Sequence, residues 1–130
     1  MTTNADSSAV RKILNEEKVH PAIQEKIAKY HSADIVELEK ALQDHDVVVV
    51  GMGQNPVVKG VRKHLRAAGI DFHYIGHGSY LRGYRKRLVY KMYTGWPTFP
   101  MVFFKGQFIG GLEDVKRLSQ KKELKELLGN

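Results

Sequence analysis

The sequence predicts an α/β fold in which a four-stranded mixed sheet is flanked by helices. Three observations point there. Val47-Val48-Val49-Val50 is β-branched throughout and reads as a strand buried on both faces, as in a parallel or mixed sheet. A helical pattern and a second short strand follow it, which makes a parallel β-α-β unit. Met101 to Phe104 and Gln107 to Ile109 are apolar runs joined by Lys105-Gly106, the signal of a tight antiparallel hairpin.

The elements follow in chain order. Residues 1–9 are small and polar and are expected to be disordered. Residues 1–31 form an N-terminal extension and residues 32–130 the main domain. Ile23, Ile27 and Tyr30 recur at helical spacing behind Pro21, a residue tolerated in a first turn. Ile35, Leu38 and Leu42 place a second helix over 33–44, with Ser32 as its N-cap. After the valine strand, Gly51 to Pro56 is a turn, and Pro56 suits the first position of a helix that Asn55 caps. Val57, Val61 and Leu65 line that helix, Val58 and Ala68 widen the stripe, and Gly69 stops it. Asp71 to Ile75 is the second strand, and Ser79 opens a helix running to about Met92. Pro97 and Pro100 shape the turn before the hairpin, and residues 113–128 close the chain as one or two helices. A β-α-β unit, a proline-bounded turn, a hairpin and a last helix is the layout of a thioredoxin-type domain.

Charge and composition narrow the function. The chain has 21 basic and 14 acidic side chains, a net +7, and no cysteine. Disulfides, thiolate metal sites and cysteine nucleophiles are therefore excluded. The charge is uneven: residues 1–46 sum to 6 − 9 = −3 and residues 47–130 to 15 − 5 = +10. Residues 59–91 hold nine basic side chains against Asp71 alone, a field that suits an anionic ligand, nucleic acid or an acidic protein surface, and equally a solvated helix face. The longest apolar runs are far too short to cross a bilayer, so no membrane association is expected. Met1 to Asp6 lack the basic and apolar regions of a signal peptide, and a cytoplasmic location is the expectation.

One stretch is more specific. Lys91-Met92-Tyr93-Thr94-Gly95-Trp96-Pro97-Thr98-Phe99-Pro100, followed by Phe104-Lys105-Gly106-Gln107-Phe108-Ile109-Gly110-Gly111, resembles the monothiol glutaredoxins. Weaker resemblance covers residues 32–128. It implies a glutaredoxin-type thioredoxin fold. It also aligns the family's Cys-Gly-Phe-Ser with Asn55-Pro56-Val57-Val58, so Asn55 stands where the reactive cysteine would be. An amide cannot attack a disulfide or leave from one. Glutaredoxin catalysis and family-style iron–sulfur cluster binding are not expected.

The resemblance implies that a ligand groove can outlast the thiol. It makes the Phe99-Pro100 bond cis, with Thr98, Phe99 and Pro100 facing the cysteinyl part of glutathione. It assigns Arg87 and Lys91, one helical turn apart, to the glycyl carboxylate. Gly110, Gly111, Leu112 and Glu113, with Asp114 beside them, match the stretch that meets the γ-glutamyl end. The leading expectation is thus a non-redox binding or adaptor module with a glutathione-like anion groove and no resident cofactor. Two others stand beside it: a glutathione-dependent enzyme using the ligand's own thiol, and a nucleic-acid or acidic-protein adaptor acting through residues 59–91.

Plainer roles compete at each position. Trp96 suits a core anchor as well as a ligand platform. Arg82, Arg85, Lys86, Arg87 and Lys91 suit a solvated helix face. Tyr80, Tyr84, Tyr90 and Tyr93 interleave with those cations as in single-strand binding surfaces, yet helical spacing lets them pack inward. Among the six histidines only His73 and His77 come close to metal-ligand spacing, and no zinc site is expected from them.

Overall fold

Val47–Gly51 forms β1, and every residue of it is buried. Successive side chains of a strand point to opposite faces, so a strand apolar at each position needs cover on both. Val48 and Val50 pack with Leu38, Ala41, Ile75, Tyr90, Met101 and Phe103. Val47 and Val49 pack on the other face with Val61, Leu65, Val102, Phe104, Val115 and Leu124.

The computed structural model describes residues 10–30, 32–52, 55–76 and 84–129. The remaining elements are α1 (Pro21–Lys29), α2 (Ser32–Asp44), α3 (Pro56–Ala67), β2 (His73–Gly76), α4 (Tyr84–Thr94), β3 (Met101–Phe104), β4 (Gln107–Gly110), α5 (Leu112–Gln120) and α6 (Glu123–Leu127). The sheet order is β2-β1-β3-β4. β1 pairs with β2 in parallel, Val48 opposite His73, and with β3 in antiparallel, Val48 opposite Phe103. Helices α2 and α4 cover one face, and α3, α5 and α6 the other. This is the thioredoxin-type arrangement with the mixed sheet the sequence predicts.

Backbone geometry explains the turns. Lys105 (φ 52°) and Gly106 (φ 79°) are both left-handed, the conformation of a two-residue turn that matches strand twist. Gly69 (φ 73°) ends α3, and the Ile70 N–H returns to the Leu65 carbonyl at 2.9 Å.

Several expectations shift. Val57, read into the inward stripe of α3, is exposed, whereas Val58, read into the same stripe, is buried, because the inward face runs through Val58, Val61 and Leu65. α4 continues to Thr94, where the Thr94 hydroxyl donates to the Tyr90 carbonyl at 3.0 Å and accepts the Trp96 N–H at 3.1 Å. The closing segment, expected as one or two helices, is two, separated at Lys122 (φ 61°). The expected disorder of residues 1–9 and the Ser79 cap lie outside the described residues. None of the described helices is long and apolar enough to cross a membrane.

The chain divides into Met1–Tyr30 and His31–Asn130. Within the first unit, a 3-10 turn at Glu16–Lys18 precedes α1. The Gln24 side-chain amide donates to the Glu16 and Val19 carbonyls, both at 2.8 Å. Ile23 and Ile27, read as the buried stripe of α1, are exposed.

At the end of β1, a Cβ on Gly51 would lie 2.5 Å from Val58 Cγ1 and 3.1 Å from the Tyr74 ring. Gly51→Ala should therefore lower stability by about 1–3 kcal/mol through overpacking. A urea unfolding midpoint equal to that of the parent chain would contradict this account.

Candidate functional site

The chain leaves β1 through Met52, which is buried in the α2–α4 layer. It enters α3 through Asn55, whose extended backbone (φ −89°, ψ 118°) places its side chain over the helix end. Asn55 Oδ1 accepts the N–H groups of Val57 at 2.8 Å and Val58 at 3.2 Å. Pro56 has no N–H to offer. The free amides of a helix N-terminus attract anions and stabilise a thiolate. Here the nearest of them are taken by a neutral side chain.

The Phe99-Pro100 bond is cis. Phe99 is 8% exposed, and its ring meets Tyr90 edge-on, 6.4 Å between centroids at 90°. Lys91 Nζ lies 5.9 Å from the Phe99 ring centroid. Thr98 is exposed and Pro100 is buried. The Pro100 carbonyl would be 3.4 Å from a Cβ on Gly111, so the β4–α5 corner packs close against the cis turn. Trp96 closes the same corner, 5.5 Å from Phe108 between ring centroids, and its buried Nε1 has no hydrogen-bond partner among the described residues.

At that corner Gly110 (φ 106°) is left-handed, and a Cβ there would collide with the Asp114 carboxylate at 2.5 Å. Asp114 Oδ2 accepts the Gly111 N–H at 3.0 Å, which fixes the first turn of α5. Glu113 is exposed beside it. Leu112 turns away from the corner toward α3, its Cδ2 3.2 Å from where a Cβ on Gly60 would stand.

Arg87 departs from the expectation of a surface pair with Lys91. It is 6% exposed, an internal cation of the domain, whereas Lys91 is half-buried. A residue four positions from Lys91 on α4 shares its general direction, but the depth of the helix decides which head group reaches water. Lys91, Phe99, Pro100 and Gly111 are brought together; Leu112 is not. The remaining cations of α4 also divide: Lys86 Nζ lies 3.8 Å from Asp34, Arg85 is exposed, and Arg82 is outside the described residues. Tyr90 is core and so offers no stacking platform, whereas Tyr93 is exposed, its hydroxyl donating to Glu39 Oε2 at 3.1 Å.

The residues do not fit a thiolate-held cluster. The chain has no cysteine, and among the described residues no group of three or more histidine, cysteine or acidic side chains could hold a metal. His73 stacks flat on His45, 4.3 Å between centroids and 6° between planes; His77 is outside the described residues. Residues that the sequence did not single out include Met52, beneath the start of α3, and Tyr74. Tyr74 lies under the Arg62 guanidinium, 4.0 Å from ring centroid to Cζ. Their places after one strand and within the next were visible in the sequence, but their pairing across elements was not.

No family model matches the chain. A glutaredoxin-like protein of Dictyostelium discoideum is 45% identical over 95 residues, 72% of this chain and 77% of that protein. The mitochondrial monothiol glutaredoxin-S4 of Oryza sativa subsp. japonica is 48% identical over 40 residues, 31% of this chain and 22% of that one. Among solved structures, a buckwheat glutaredoxin–glutathione complex superposes with a TM-score of 0.66 at 20% identity, covering 75% of this chain and 89% of its own.

Two expected outcomes follow from this geometry. Asn55→Ala removes the cap of α3 and should cost about 1 kcal/mol, with Asn55→Gly milder, read from urea unfolding midpoints. Burial first, then the negative charges of Asp34 and Glu37, pushes the Tyr90 phenol well above the ordinary tyrosine range. Unfolded tyrosine ionises near pH 10, so this contribution is whole below about pH 10 and is lost as pH rises toward the folded value. Stability should therefore fall as pH rises above about 10, and less steeply in Tyr90→Phe. Identical slopes for both proteins would rule Tyr90 out as a source.

Proposed function

This chain belongs to the glutaredoxin-like family and lacks any cysteine, and from that premise we propose that it is a non-redox binding module that takes a peptide-like anionic ligand such as glutathione at its cis-proline edge. The observation that carries the reading is Asn55. Its side-chain oxygen occupies the α3 amides at the position where the family resemblance puts the nucleophile. No attacking or leaving sulfur is available from the protein, so thiol exchange has no covalent step to run through.

What supports a retained ligand edge is the corner at Gly111. A Cβ there would stand 3.4 Å from the Pro100 carbonyl and 3.9 Å from Trp96 Nε1, so glycine leaves space at a corner that a larger side chain would fill. Lys91 supplies a cation at the same place, close to the Phe99 ring. Thr98 and Glu113 are exposed around it. Arg87, being buried, contributes to the field from within rather than as a free clamp. One surface cation in place of two implies weak binding without a mixed disulfide, roughly millimolar to tens of micromolar, or about 4–7 kcal/mol.

Titration with glutathione followed by amide chemical shifts tests this. Shifts should cluster at Lys91, Phe99 and Gly111, weaken with salt, and diminish in Lys91→Ala, which leaves the fold intact. Arg87→Ala should instead lose stability, because it empties a buried site. Absence of clustered shifts at millimolar glutathione would sink the ligand assignment.

A further inference from the structure

A second surface lies on α3 and β2. Between Pro56 and Ala67, α3 carries Lys59, Arg62, Lys63 and Arg66 and no acidic residue. At about 100° per residue, positions i, i+3, i+4 and i+7 share one arc of about 100°. Val58, Val61 and Leu65, all buried, occupy the side facing the sheet. None of the four cations has a carboxylate at ion-pair distance among the described residues.

Two of these cations lie against aromatic rings. Arg62 Cζ lies 4.0 Å over the Tyr74 ring centroid, and Arg66 Cζ lies 5.5 Å from that of Phe72. Arg62 Nε is buried without a hydrogen-bond partner among the described residues, so ring contact rather than a polar bond positions this guanidinium. A guanidinium lying on a ring still presents its in-plane N–H fork at the edge, the geometry that binds a carboxylate or phosphate through two bonds. The two arginines, with Ile70, Asp71, Phe72 and Tyr74, line a groove of about 380 Å³.

β2 is the outermost strand on this side, and among the described residues no chain segment pairs with its outer edge. A strand added there places alternate side chains on the α3 face about 6.6–6.8 Å apart. Arg62 and Arg66 are separated by about 6 Å along their helix. We propose that the β2 edge, with Arg62 and Arg66, is a docking surface for an extended acidic peptide that adds as a further strand and sets alternate carboxylates on the two guanidiniums. Asp71 repels a carboxylate at the start of the groove and so helps set the register. A nucleic-acid strand fits less well. The Tyr74 ring lies against Gly51 and Gly76 and under Arg62, which leaves bases no open platform, and a backbone ladder is of no use to them.

The proposal deepens the reading of the chain as a binding module but uses residues other than those of the cis-proline edge. Glutathione and peptide titrations can therefore fail independently. The test is fluorescence anisotropy on the full chain with three labelled probes: a peptide alternating glutamate and threonine, one of the same composition with its glutamates contiguous, and an oligothymidylate. The alternating peptide should bind best and should shift the amides of His73–Gly76. Arg62→Lys, which keeps the charge and stem over Tyr74, and Arg66→Gln should each weaken it about tenfold while glutathione shifts persist. Equal binding of the contiguous peptide, preference for the oligothymidylate, shifts that avoid β2, or no peptide binding at millimolar concentration would each overturn the proposal.

Discussion

The burial of β1 on both faces is the constraint from which the rest of the domain follows. Each of its valines is worth about 1.5–3 kcal/mol only if its own face is covered. α2 and α4 supply one cover, and α3, α5 and α6 the other. With β2 on one side and β3 on the other, both edges of β1 are hydrogen-bonded as well. The ends of this strand then decide where the turn to α3 and the cis turn before β3 can lie. Gly51, closed in by Val58 and Tyr74, is the tight joint where the strand hands over to the helix.

That joint brings the Asn55 cap to the end of the strand. In a cysteine-bearing relative of this layout, a helix N-terminus stabilises a thiolate. In this chain the same physics stabilises the helix instead, since the electrostatic opportunity of free amides is used internally by Oδ1. The cis turn, the left-handed Gly110 and the Asp114–Gly111 bond serve the fold whether or not a ligand sits there. The absence of a cysteine at position 55 thus leaves this local scaffold standing.

The cations show how one composition divides by depth. Nine basic residues between positions 59 and 91 read as one field along the chain. In space, Arg87 is interior, Lys86 sits near Asp34, Lys91 leans on Phe99, and Arg62 and Arg66 lie on the rings of Tyr74 and Phe72. The last pair depends on the parallel β1–β2 pairing, which sets Phe72 and Tyr74 on the same sheet face as α3. No local sequence rule links position 62 to position 74.

Read alone, the sequence determined the elements and their order, because hydrophobic period, proline and glycine act within a few residues of chain. Valine at 47–50, Asn55-Pro56 and Lys105-Gly106 announced a strand, a cap and a hairpin, while the cis bond at Phe99-Pro100 came only from the family resemblance of that stretch. The lack of cysteine also settled which chemistry the chain cannot do. The tertiary structure decided which side chains meet and how deeply each sits. Val58 rather than Val57 turns inward, Arg87 is buried while Lys91 is not, and Leu112 faces α3 instead of the cis-proline corner. Those outcomes depend on the rotation and depth of each helix against the sheet, which long-range packing sets and local periodicity leaves free.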